Sequence, residues 1–434
     1  MIREFSATNF MSIKEKQTIS FEATKDHTSE ELLTVQIAPN IRLLKMVLLY
    51  GANASGKTNL LMAIENLWWM LFRPNTNKDN KIGFYPFALS PDQPTVYEIT
   101  FYVNQDRYHY ILSYNESNVL YELMEYAPLP HGVMSLFYER TYTNANTPPI
   151  IKFGNKLKLK AKTKQTFEDN TLNNHTVLST FGKVSVDAQP IQILYDWIQT
   201  KIHEIDKRDQ GSIIDVIKNI IQDNSKKDFF LKAICKADFN ITNFNIIEIE
   251  NNIPEELRKQ IQADPSLPEK IKKKLLKEKR EDVEFIHHTH SGDFPLSVKR
   301  ESRGTVRYLR LLGQLYDMVK ENHIYLIDEI ESGLHYDLLI HYLSVFMMNS
   351  ECSQLIITTH DQSLLDEDFI RRDMVWFTEK SEKTGATEVY SAADFGLHKN
   401  VSLYNAYRIG KLGAKPEIGS PFIEINQKEN NEEA

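Results

Sequence analysis

The stretch GANASGKT, Gly51 to Thr58, meets every fixed position of the phosphate-binding loop G-x-x-x-x-G-K-[ST]. No other feature constrains the fold as tightly, because this loop works only where a buried strand of an α/β sheet hands over to a helix. The flanks fit that demand. Leu43 to Tyr50 (LLKMVLLY) reads as a buried strand, and Asn59 to Leu67 (NLLMAIENL) carries apolar residues at helical spacing. Gly51 and Gly56 let backbone N–H groups close around phosphate oxygens, and Asn53, Ala54, Ser55 and Asn59 complete the candidate nucleotide-binding set. Lys57 is expected to reach the β- and γ-phosphates and Thr58 to place its hydroxyl on Mg²⁺, with the helix N-terminus adding a favourable dipole. The expected ligands are therefore ATP and Mg²⁺.

The chain has 434 residues, 41% hydrophobic and 25% charged, the balance of an ordinary globular protein with room for a large α/β unit and an insertion. Its longest apolar runs, such as LWWMLF at 67–72, fall far short of the ~18 residues that cross a bilayer, and the N-terminus has no signal-like apolar core. A cytoplasmic protein without membrane contact is expected. Cys235 and Cys352 are too few for a disulfide framework, which fits a reducing compartment. A formal net charge of −8 argues against coating nucleic acid with the whole surface, though not against a local basic face.

Along the chain, residues 2–21 read as a hairpin around a turn at 9–14, and 96–102 with 108–114 as a second hairpin followed by a strand at 119–126. These make a β-rich edge subdomain. The run KLKLKAK within 151–164 alternates as a strand, with Lys156, Lys158, Lys160 and Lys162 on one side. Its ordinary meaning is a solvated edge; its other meaning is contact with nucleic acid or an acidic partner. From Ile191 the pattern turns helical, and two further short helices are expected at 254–262 and 268–280, the second strongly basic. The expected organisation is an N-terminal lobe at 1–185, a helical insertion or lid at 186–282, a C-terminal lobe at 283–420, and a disordered acidic tail at 421–434.

The second half supplies groups that make sense around the same ligand. Ile324 to Ile327 reads as a strand ending in Asp328-Glu329, so Asp328 falls at the sheet's carboxyl edge, placed for Mg²⁺, and Glu329 is free to act as general base on water. Ser302 and Gly304, in ESRGT before a periodic helix, form a hydroxyl and N–H anion site. Ser332-Gly333-Leu334-His335 follows the acidic strand. His360 ends a strand at 355–358, where it can sense the γ-phosphate. The cluster His287, His288, His290 lacks partners at metal-ligand spacing and reads as structural.

The order GxxxxGKT, ESRGT, hhhhDE, SGLH, TTH resembles the ABC-type ATPase heads of SMC proteins, double-strand-break repair ATPases and RecF-like proteins. FSATNFMSIKE, RRDMVWFTEK and YRIGKLGAKPEIG look like one subgroup, the AAA-type ATPases of bacterial abortive-infection and phage-defence systems related to the ATPase half of the overcoming-lysogenization-defect (OLD) nucleases. The likeness covers residues 1 to about 125 and about 283 to 418. It implies an α/β head with a mixed sheet, the β-rich edge subdomain and the helical insertion. It also implies that Ser302 and Gly304 complete the ATP site of another subunit in a head-to-head homodimer or higher homo-oligomer. SRGT lacks the second glycine of transporter signatures, which points away from a transporter, and Gln93 is the candidate for a glutamine-loop residue.

What this implies is a Mg²⁺-dependent ATPase switch of an anti-phage defence pair, with toxicity on a separate effector such as a Toprim-like nuclease. About 70 residues follow His360, too few for a built-in nuclease domain. A RecF-like DNA clamp, using Lys156 to Lys164 and Lys270 to Arg280, is the alternative from another class, and a low-turnover ATP-binding sensor scaffold is the third.

Overall fold

The computed structural model describes residues 1–128, 132–207, 212–237, 239–251, 253–277, 279–398, 401–416 and 419–421. The acidic tail expected at 421–434 lies, from residue 422 on, outside the described residues. In chain order the first lobe holds β1 (Ile2–Thr8), β2 (Gln17–Ser20), α1 (Glu30–Leu33), β3 (Thr34–Ala38), β4 (Ile41–Leu44) and β5 (Met46–Gly51). It continues with α2 (Lys57–Phe72), β6 (Thr95–Val103), β7 (Asp106–Tyr114), β8 (Val119–Pro128), β9 (Ser135–Thr141) and β10 (Ile150–Phe153). Next come α3 (Ala161–Asn170), α4 (Val177–Phe181), α5 (Gln189–Lys201), α6 (Ile213–Ile221), α7 (Asn224–Lys236) and β11 (Ile241–Glu250). Then follow α8 (Glu255–Ala263), α9 (Glu269–Leu275), β12 (Lys279–Thr289), β13 (Gly292–Ser297) and α10 (Arg303–Lys320). The chain closes with β14 (Ile324–Ile327), α11 (Tyr336–Asn349), β15 (Gln354–Thr358), β16 (Val375–Lys380), β17 (Thr387–Ser391) and α12 (Leu403–Arg408).

The central sheet has the order β14-β15-β5-β16-β17, parallel except for the antiparallel β16–β17 hairpin, so the expected mixed sheet is present. All six residues of β5 are buried, as a parallel strand covered on both faces must be. A seven-stranded antiparallel sheet, β10-β9-β8-β7-β6-β1-β2, forms the edge subdomain and contains both expected hairpins. Helix α2 packs on β5 and β15 of the first sheet and on β1 of the second, which makes it the shared wall of both layers. Among the described residues no helix is long and apolar enough to cross a membrane.

Three expectations are corrected. LLKMVLLY is two strands in two different sheets: it breaks at Lys45, whose buried Nζ donates to Ser350 O at 2.6 Å, while Leu44 closes the small β3–β4 sheet. KLKLKAK is not a strand. β10 ends at Phe153, Gly154 turns the chain where a Cβ would meet Leu136 O at 1.7 Å, and a short 3-10 turn leads into α3. Burial of Leu157 and Phe167, the latter against Phe153 with ring centroids 5.4 Å apart, outweighs the local alternation. The insertion is also not wholly helical. β11 pairs with β12 and β12 with β13, so Arg280 sits opposite Ile249 in a sheet rather than ending a helix. The signal was present in Ile247 and Ile249 alternating with Glu248 and Glu250, a period-two pattern that adjoining helical periodicity hid.

Candidate functional site

The phosphate loop leaves the buried end of β5 and enters α2 through two glycines with no room for a side chain. A Cβ on Gly51 would lie 2.4 Å from Thr378 O, and one on Gly56, at φ +109°, would lie 2.2 Å from Thr387 Oγ1. The loop is clamped by hydroxyls from far along the chain. Ser55 Oγ bonds Thr378 Oγ1 at 2.6 Å, and Thr387 Oγ1 donates to Ser55 O at 2.7 Å. Ser12 Oγ meets Thr387 Oγ1 at 2.7 Å and accepts from Asn59 Nδ2 at 2.7 Å. None of Ser12, Thr378 and Thr387 was singled out from sequence, because a lone hydroxyl carries no pattern; Ser12 does fall inside FSATNFMSIKE and Thr378 inside RRDMVWFTEK.

A cavity of about 510 Å³ opens above the loop. Asn53, Ala54, Ser55, Gly56, Lys57, Thr58 and Asn59 line it from the loop side, and Asp328, Glu329 and His360 from the far half of the chain, with Ser12 and Lys380 at its rim. The buried Lys57 donates from Nζ to Gly51 O at 2.8 Å and Ala52 O at 3.1 Å. Burial lowers its pKa, and the nearby carboxylates Asp328, Glu331 and Glu329 oppose the shift. Thr58 Oγ1 donates to both oxygens of Asp328 at 3.1 Å, and Thr358 Oγ1 donates to Asp328 Oδ1 at 2.6 Å.

The acidic strand end is held by a network. Asp328 N donates to Asp206 O at 3.0 Å, Glu329 N to Thr358 Oγ1 at 2.8 Å, and Ile330 N to Thr358 O at 3.2 Å. Glu329 occupies the left-handed region, φ +49°, and this exposed residue lines the cavity. Glu331 Oε1 accepts from His360 N at 2.7 Å, tying the two strand ends together, while its Oε2 is buried without a partner among the described residues. Partial burial and the Lys57 cation depress the His360 pKa, so the ring is neutral near pH 7.

Asp206 is the largest omission of the sequence reading. Its segment adds parallel bridges beside β14, Ile202 to Ile324 and Asp206 to Ile327. Its buried carboxylate accepts from Arg307 Nη1 at 3.0 Å, Arg310 Nη2 at 3.1 Å and Gln314 Nε2 at 3.0 Å, all on α10. One residue thus joins the helix behind Ser302 to the backbone of Asp328.

Ser302 and Gly304 are not brought to this cavity. Ser302 caps α10, accepting from Thr305 N at 3.0 Å, and Gly304 packs on Gly333, where a Cβ would lie 2.6 Å from its carbonyl oxygen. Gly304 thus borders the Ser332-to-His335 turn, and Ser302 is exposed. His287 Nε2 bonds Glu301 at 2.6 Å and His288 Nδ1 bonds Asp293 at 2.6 Å, while no group of three or more metal-ligating side chains stands together among the described residues. Gln93 is exposed, its carbonyl held by Asn9 Nδ2 at 2.6 Å, and it is not part of the cavity wall.

The donor set suits Mg²⁺: a threonine hydroxyl and a carboxylate oxygen already face each other across the loop, and Mg²⁺ takes one or two protein oxygens plus substrate phosphates. A family model described as "AAA domain, putative AbiEii toxin, Type IV TA system" matches residues 46–172 and 214–366. Among solved structures the chain is similar to an SmcHead bound to the C-winged helix domain of ScpA, at 14% identity, TM-score 0.39, covering 93% of this chain and 99% of that one. It is also similar to an SMC head domain from Thermotoga maritima, at 11% identity, TM-score 0.39, covering 90% and 98%. No curated protein matches.

Proposed function

Since the chain belongs to that AAA-domain family, whose model spans well over half of it, we propose that this P-loop NTPase is a Mg²⁺-dependent ATPase that switches a bacterial anti-phage defence system. The observation that carries this reading is Thr58 Oγ1 on both oxygens of Asp328, 270 residues apart in the chain, inside the cavity that also holds Lys57, Glu329 and His360.

The chemistry follows from the residues. Loop N–H groups and Lys57 bind the β- and γ-phosphate oxygens. Thr58 and Asp328 would hold Mg²⁺, which neutralises charge on those oxygens when bound. Glu329 accepts a proton from the attacking water; the water oxygen bonds to the γ-phosphorus as the bond to the β–γ bridging oxygen breaks, releasing ADP and inorganic phosphate. His360, neutral, offers a ring N–H to the γ-phosphate and is tied through its backbone to Glu331.

Ser302 and Gly304, on the surface and away from their own cavity, complete the site of a second copy, so ATP bridges two heads. The effector, a nuclease of Toprim or other type, acts in trans. The family's description supports the toxin-related setting.

The test is the solution mass of Glu329→Gln and Lys57→Ala proteins with and without Mg²⁺-ATP, repeated with the product of the neighbouring gene. Glu329→Gln is expected to dimerise on ATP and retain it, and Lys57→Ala to bind none. Equal ATP affinity in wild type and both variants would overturn the residue roles.

A further inference from the structure

The LWWMLF run of α2 has one tryptophan in the core and one outside it: Trp68 is 5% exposed and Trp69 38%. Trp69 borders a second cavity, of about 440 Å³, between α2, the 82–85 loop and the start of α4. Its walls are apolar and aromatic, with Phe10, Met11, Met62, Met70 and the half-exposed Tyr85 beside Trp69. This volume and lining are those of a small-molecule site.

Two amides on the lining are fixed in orientation and left with unused groups. Asn66 Oδ1 accepts from Tyr97 Oη at 3.1 Å and Tyr114 Oη at 2.8 Å, so its Nδ2 is a donor, and that donor has no partner among the described residues. Asn174, 5% exposed, donates from Nδ2 to Asn77 O at 2.9 Å and Asn80 O at 2.8 Å, which leaves Oδ1 a buried acceptor with no donor. A buried acceptor in that state costs free energy that a ligand's N–H would recover. The Arg73 guanidinium lies 3.7 Å from the Trp69 ring centroid, covering one face of that ring and leaving the other, and pairs with Glu204 at 2.8 Å, while Glu65, also on the lining, accepts from Ile205 N at 2.8 Å, so the lining carries no surplus of positive charge for a phosphate.

We propose that this cavity is a second ligand site, for an uncharged planar heterocycle of the nucleobase or nucleoside class, stacked on Trp69 and Tyr85 and bonded at its edge by Asn66 and Asn174. Aromatic faces with amide edges are how proteins hold unpaired bases. The site is separate from the phosphate loop. The two cavities share no lining residue, and Asn66 and Trp69 lie eight and eleven residues beyond Thr58, about 12 and 16 Å along the helix axis. Met11, on its wall, donates its N–H to Tyr85 O at 2.6 Å and immediately precedes Ser12 of the nucleotide cavity. The assignment stands on the cavity alone and does not require ATP turnover.

Calorimetric titration of the full chain with adenosine, guanosine, cytidine and uridine tests it, in wild type, Lys57→Ala, Trp69→Ala and Tyr85→Ala proteins. At least one nucleoside is expected to bind at one site per chain, equally in wild type and Lys57→Ala, and at least tenfold more weakly in Trp69→Ala or Tyr85→Ala, whose side chains are exposed enough to be cut without emptying the core. Absence of binding to wild type by all four, or binding lost in Lys57→Ala and kept in both aromatic variants, would overturn the proposal.

Discussion

At φ +49°, Glu329 holds a backbone conformation that costs a residue with a Cβ roughly 1 to 2 kcal/mol, offset here by the bond from its N–H to Thr358. Replacing it by glycine or by alanine removes the same carboxylate but only glycine relieves the backbone. Glu329→Gly is therefore expected to unfold in urea with about 1 kcal/mol more stability than Glu329→Ala, both without turnover; the reverse order would refute the strain. Asp206→Ala should be costlier, because it leaves Arg307 and its neighbours as uncompensated buried charge: a loss of about 3 to 5 kcal/mol in the same assay. At this scale Lys57, Thr58, Asp328 and Glu329 were legible because their spacing from a strand end or helix start is fixed. Asp206, Glu331, Ser12 and Thr387 were not, since their roles arise only when distant segments meet.

The β16–β17 hairpin is an element whose work lies in its hydroxyls. Thr387 fills the space a Cβ on Gly56 would need and bonds both Ser55 O and Ser12. Thr387→Val keeps the volume and deletes two hydrogen bonds, so ATP affinity by filter binding is expected to fall about tenfold with the fold intact; unchanged affinity would deny the clamp. The insertion makes a comparable contact at Glu301, one residue before the Ser302 cap, through His287 of β12. Elements with strong periodicity, α2, β6, β7 and α10, could be read directly. KLKLKAK and β11 could not, because local alternation is decided by which neighbours are there to cover it: α3 buries Phe167 against β10, and β12 supplies β11 with a partner.

Over the whole molecule, burial decides how the protein meets acid. His175 and His203 are held neutral down to about pH 4, burial being the first cause, with the Lys183 cation adding to it at His175 and the neighbouring His323 ring at His203. The unfolded chain takes up those protons near the ordinary value of 6.5, so between 6.5 and about 4 it binds more protons than the native state and stability falls as pH falls. The urea midpoint is expected to be lower at pH 5 than at pH 7.5, with a shallower drop in His175→Gln; a flat profile would contradict it. The position of β5 between β15 and β16 carries a further consequence, one of time. Both partners are made some 300 residues after it. At ~5–20 residues per second of synthesis, that apolar strand waits roughly 15 to 60 s without a neighbour on either edge, which makes it the segment of the nascent chain most in need of shelter.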